Sequence, residues 1–124
     1  MTLARRDFLR LAAAAGALPV LLRIAQAQTY PARPVRILLG FPAGSASDIQ
    51  ARLVGQWLSD RLGQPFVVEN RVGASTNIAT EAVVRAPPDG HTLLFVSAAN
   101  AINAALYDRL SFDFMRDILP VAGF

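Results

Sequence analysis

The sequence predicts an α/β fold: a parallel sheet with flanking helices. Three observations carry that expectation. Short, nearly continuous apolar runs recur at 35–41, 65–68 and 92–96, which suits strands covered on both faces. A polar loop of small residues follows each run, and each loop opens a stretch with apolar residues at helical spacing. The repeated order strand, loop, helix implies right-handed crossovers, with the loops at the carboxyl ends of the strands, where such sheets bind ligands.

The elements follow in order. Pro31 and Pro34 make 30–34 extended, because each proline pushes the residue before it out of the helical region. Residues 35–41 form the first strand. The loop 42–48 opens a helix in which Ile49, Leu53, Trp57, Leu58 and Leu62 make the core-facing stripe. Gly63 stops it. After the strand 65–68, the loop 69–77 opens a second helix with Ile78, Ala82, Val83 and Ala86 on its apolar side, where Glu81 and Arg85 form a supportive i,i+4 pair. Pro87-Pro88-Asp89-Gly90 ends it in a turn. The strand 92–96 leads through the loop 97–100 to a short helix over 101–107. Residues 112–118 fit no single element, and 119–124 look like the start of a further strand.

Charge and composition exclude several functions. All 12 basic residues are arginine, against 9 acids. Four of the arginines and one acid fall in the first 27 residues, which leaves eight bases facing eight acids in the remainder. A nucleic-acid partner needs a surplus of positive charge that the remainder lacks. With no cysteine and one histidine, His91, disulfides, thiolate metal sites and a His-rich metal centre are all excluded. No cofactor is implied.

Residues 1–27 have the layout of an export signal. Arg5-Arg6-Asp7-Phe8-Leu9-Arg10 is a basic head, Leu11 to Leu22 an apolar stretch, and Ala25-Gln26-Ala27 a small-residue cleavage site. The twin arginine points to the Tat rather than the Sec machinery. The apolar stretch has about a dozen residues, short of the roughly 20 that span a bilayer, so removal is favoured over a retained anchor. Cleavage between Ala27 and Gln28 places the mature stretch, 28–124, in the periplasm.

The first two loops share a design. Each ends a strand, contains a glycine and closes on small polar residues at a helix start, where unpaired N–H groups and the macrodipole favour negative charge. Two such ends aimed at one spot hold a carboxylate or phosphate without a cationic side chain. Ser45, Ser47, Ser75, Thr76 and Asn77 are placed to add hydrogen bonds, and Ser97 and Asn100 to close a third side. A plainer alternative stands beside this one. Ser45-x-x-Asp48 is a capping-box pattern, and Asn77 equally suits a helix cap.

Enzymatic motifs fit poorly. Residues 40–45 lack the Lys-Ser/Thr of a phosphate loop, and neither a dinucleotide fingerprint nor a nucleophile elbow is present. A serine hydrolase built on Ser45 or Ser97 would need His91, which precedes its strand and so belongs to the end away from the loops. His91 is expected as an exposed turn residue, and Trp57 and the phenylalanines as core.

Several blocks resemble the Bug family, the periplasmic receptors of tripartite tricarboxylate transporters. The first is Tyr30-Pro31-x-Arg33-Pro34-Val35-Arg36-Ile37 with Phe41-Pro42-Ala43-Gly44-Ser45-Ala46-Ser47-Asp48-Ile49. The others are Leu62-Gly63-Gln64-Pro65-x-Val67-Val68-Glu69-Asn70-Arg71, Gly73-Ala74, Asn77-Ile78, Ala86-Pro87-Pro88-Asp89-Gly90-His91-Thr92-Leu93-Leu94, and Asn103 before Leu106-Tyr107. The resemblance implies a two-lobed Venus-flytrap receptor of the type II kind, without catalytic activity, that binds a small carboxylate and passes it to the transporter's membrane subunits. It points to Ala43, Gly44, Ser45, Ser47 and Asp48 in the first loop, and to Gly73, Ala74, Ser75 and Asn77 in the second. The family commonly has consecutive glycines where this chain has Gly44-Ser45-Ala46, proline at the place of Val72, and glycine near Ser75 and Thr76. These departures imply a narrower pocket or a different ligand. The length suits most of one lobe with the second absent, and implies weak or no binding and an apolar face prone to association. The alternatives to a receptor are a small exported serine hydrolase and a non-functional truncated remnant.

Overall fold

The computed structural model describes residues 29–107 and 109–123; the expected export signal, its expected cleavage site at Ala27–Gln28, and Phe124 lie outside them. Three strands, β1 (Val35–Leu39), β2 (Phe66–Asn70) and β3 (Thr92–Phe95), form a parallel sheet in the order β2-β1-β3. Between and after them come α1 (Ala46–Leu62), α2 (Asn77–Val84), α3 (Ala98–Leu106) and the short α4 (Phe114–Asp117), with a 3-10 turn over Ala74–Thr76 leading into α2.

The expected parallel sheet with flanking helices is the observed one. β1 occupies its centre, with Val35 beside Phe66 on one flank and Arg36 beside Thr92 on the other. Its apolar run is buried throughout, as a central strand covered on both faces requires. Because the chain leaves β1 for one flank and then crosses to the other, right-handed connections put α1 and α2 on opposite faces. The core joins Val35, Ile37 and Phe66 to Leu58, Val68, Leu93 and Phe95. Arg36 donates to both oxygens of Glu69 at 2.5 and 2.8 Å, tying β1 to β2 at the surface.

α1 departs from its expected orientation. Ile49, Leu53, Leu62 and Trp57 are exposed, Trp57 by 55%, and Arg61 stacks over the indole at 4.5 Å. The helix buries its small side instead, with Ala51 and Gly55 against the sheet. A side chain at Gly55 would stand 3.1 Å from the Phe66 carbonyl oxygen, so small residues set the approach of helix to strand. Leu58 alone of the expected stripe packs on the core. The helix ends at Gly63, whose φ of 72° is the left-handed cap expected of it.

Three further expectations are corrected. Residues 98–100 belong to α3 rather than to a loop, because Ser97 caps a helix that starts at once. Residues 118–123 form no strand: no described strand pairs with them. His91 is buried, at 9% exposure, because the Tyr30 ring packs edge-on at 5.3 Å and Nδ1 lies 3.0 Å from the Asp89 carbonyl oxygen.

Candidate functional site

The candidate site lies at the carboxyl end of the sheet, where the first and second loops meet over β1. The strand order makes this the switch point of the sheet, the place where open α/β folds take their ligands. Two tethers close the gap between the first and second loops. The Arg71 N–H donates to the Leu39 carbonyl at 2.8 Å, and Asn70 Nδ2 donates to the Phe41 carbonyl at 3.0 Å. The second loop also crosses directly above Gly40, where an added Cβ would fall 2.5 Å from that of Thr76. Gly40 has no side chain because Thr76 occupies its place.

The first loop is shaped by Asp48, which is 3% exposed. Its Oδ2 accepts from the Gly44 N–H at 2.9 Å and Arg52 Nε at 3.0 Å, and its Oδ1 from Asn70 Nδ2 at 2.9 Å. The Arg52 guanidinium, then the Gly44 and Asn70 donors, hold the carboxyl well below the usual carboxylate range. The Asp48 N–H donates to Ser45 Oγ at 3.3 Å, half of the expected capping box; the other half is altered, because the Asp48 side chain grips Gly44 rather than the Ser45 N–H. Asp48, one of the residues expected at the ligand, has its carboxylate filled by donors of its own chain. It therefore positions the loop. The backbone N–H groups of Ala46 and Ser47 have no partner among the described residues, as the first turn of a helix leaves them.

The second loop is unusual in its backbone. Gly73 has a φ of 137°, and Ala74, Ser75 and Thr76 have φ of 44°, 53° and 77°. Thr76 is buried with its Oγ1 unpartnered, Asn77 starts α2, and Ala74 and Ser75 are exposed. Asn103 Nδ2 donates to the Ser75 carbonyl and, at 3.0 Å, to Asn77 Oδ1. At the third loop, Ser97 and Asn100 cap α3: Asn100 Oδ1 accepts from the Ser97 N–H at 2.9 Å, and Ser97 Oγ accepts from the Ala99 N–H at 3.2 Å. Asn100 Nδ2 is spent on Thr80 Oγ1 at 3.0 Å. Both side chains serve α3 and its packing.

The expected site residues therefore come together at one end of the sheet, and divide in role. Ala43, Gly44, Ser45, Ser47, Gly73, Ala74, Ser75 and Asn77 lie in the two loops and at the helix starts that follow them, exposed or half-buried; Asp48, Ser97 and Asn100 are committed to internal hydrogen bonds. Sequence reasoning missed Arg52, Asn70, Thr80 and Asn103 as members of the site's framework. Asn70 and Asn103 stand in the blocks that carry the family resemblance, but their partners lie far off in sequence. Asn70 reaches Asp48 and Asn103 reaches Ser75, pairings that no local pattern encodes. His91 precedes β3, at the opposite end of the sheet from Ser45 and Ser97. Among the described residues no group of acidic or histidine side chains could hold a metal ion, and no helix is long and apolar enough to cross a membrane.

Comparison with known proteins gives consistent matches. Residues 50–124 match the tripartite tricarboxylate transporter family receptor. Protein BugT of Bordetella pertussis is 40% identical over 98 residues, covering 77% of this chain and 30% of its own. MatC from Rhodopseudomonas palustris, solved with bound malate, superposes with a TM-score of 0.65 at 34% identity, over 71% of this chain and 30% of that one. A periplasmic transporter structure superposes with a TM-score of 0.61 at 39% identity, over 68% and 29%. The chain thus spans about 30% of the length of the relatives it matches.

Proposed function

The chain belongs to the tripartite tricarboxylate transporter receptor family, and from that premise we propose that it supplies one lobe of a periplasmic receptor that captures a small carboxylate for membrane transport. The observation that carries the reading is the meeting of two glycine turns and two helix starts over the end of β1. The free N–H groups of Ala46 and Ser47 there suit an anion, and the buried charge of Asp48 nearby is neutralised by Arg52. Ligand contacts come from Ala43, Gly44, Ser45 and Ser47 of the first loop and Gly73, Ala74, Ser75 and Asn77 of the second. A dicarboxylate is the favoured class, because a family relative of similar fold was solved with malate. A second lobe closing on this one, the membrane subunits of the transporter and export through the Tat or Sec route complete the proposal.

A serine hydrolase gains no support. Ser45 Oγ and Ser97 Oγ accept backbone N–H groups at helix starts, and His91 is at the far end of the sheet.

An NMR titration tests the reading. One lobe offers half of the grip, so malate is expected to bind weakly and saturably, in the millimolar range. It should shift the amides of residues 43–47 and 73–78, and the neutral diamide of malate should leave them in place. Malate-induced shifts confined to other residues, or none at all, would remove the proposal.

A further inference from the structure

Three successive side-chain-bearing residues, Ala74, Ser75 and Thr76, sit in the left-handed region. That region crowds Cβ against the following carbonyl oxygen, a penalty that glycine escapes and that β-branched threonine feels most. The loop's own chemistry does not favour this shape, so the neighbouring structure must hold it. The holding contacts come from α3. Asn103, 3% exposed, donates to the Ser75 carbonyl and to Asn77 Oδ1. Asn100 donates to Thr80 Oγ1, which in turn donates to the Thr76 carbonyl at 3.2 Å. Two consecutive carbonyls of the strained turn are thereby gripped from one helix, one directly and one through Thr80.

We propose that Asn103 is a positioning residue for ligand capture: it clamps the second loop in a left-handed shape that glycine would adopt unaided, and so keeps the start of α2 open to the ligand. The role in capture rests on the carboxylate reading above; the clamp does not.

Hydrogen exchange and malate titration of the 124-residue chain, Asn103→Ala, Ser75→Gly and the double variant separate the two. The amides of Thr76 and Asn77 donate to Gly73 and Ala74 within the turn. In Asn103→Ala they exchange about tenfold faster, while the Val35 amide of β1 is unchanged. Malate affinity falls by about the same factor. Adding Ser75→Gly restores slow exchange, because glycine makes the clamp redundant; affinity is read from Asn103→Ala alone, since Ser75 is itself a ligand contact. A generally structural Asn103 would instead speed exchange at Val35 as well, and glycine would restore nothing; either result overturns the proposal, as does unchanged exchange in the turn. If the parent chain ignores malate, the carboxylate reading falls and the exchange data alone decide the clamp. Should Asn103→Ala not fold, Thr80→Val removes the second grip without altering shape, and the same local acceleration is expected.

Discussion

Asp48 is a charge turned inward. A carboxylate beside a pocket for anions would repel its ligand unless its charge were cancelled, and here Arg52 cancels it while Gly44 and Asn70 fill its remaining lone pairs. Two consequences follow. Asp48→Ala leaves the Arg52 and Gly44 donors without their acceptor and frees the first loop, so thermal denaturation should show a melting temperature several degrees lower. The pH response has a definite sign. The folded-state pKa of Asp48 lies below its unfolded value, as does that of Glu69 beside Arg36. The unfolded chain therefore binds more protons below about pH 4, and stability present above that range is lost as the pH falls through it. Asp48→Ala should flatten this loss in part, with Glu69, Asp89 and Asp117, whose carboxyls are also held below their usual range, responsible for the remainder. The serine and the acid of this cap were legible as a spaced pair. The partner Asn70 was not, because it arrives from another strand.

At the scale of the element, α1 shows where periodicity misleads. Its large apolar residues recur at helical spacing, yet their stripe faces outward, and the buried side consists of Ala51 and Gly55 with Leu58. A helix pressed close to a sheet needs small residues at the contact, so the apparent stripe and the actual interface lie on different sides. Leu53→Gln and Trp57→Gln should each change unfolding free energy by no more than about 0.5 kcal/mol. Ala51→Leu, forced between helix and strand, should cost about 1–3 kcal/mol. Urea denaturation of the three variants checks both. The helix ends, by contrast, were readable: Ser45 and Gly63 announce them through chemistry that acts within a turn of its own position. His91 escaped for the same reason as Asn70, since its cover, Tyr30, comes from a distant segment.

The whole molecule joins an ordered sheet edge to a large apolar surface. The class of fold and the gathering of the loops were readable from three repeated segments, because crossover handedness leaves few ways to arrange them. The final residues were not, since 118–123 are apolar without entering the sheet. Met115, Leu119 and Val121 are each more than 80% exposed, and Ile102 and Leu106 add to them. Apolar exposure on this scale favours association. Sedimentation should show a mass that rises with concentration, and Leu119→Glu combined with Val121→Glu should suppress the rise.

The central position of β1 has a temporal consequence. β1 is synthesised before both of the strands that flank it, and its pairing of Arg36 with Thr92 waits until β3 has been made. Until then β1 is a bare apolar ribbon with one open side. Closing so long a loop is slow, so a nascent chain passes through a vulnerable interval in which a chaperone's shelter has its greatest value.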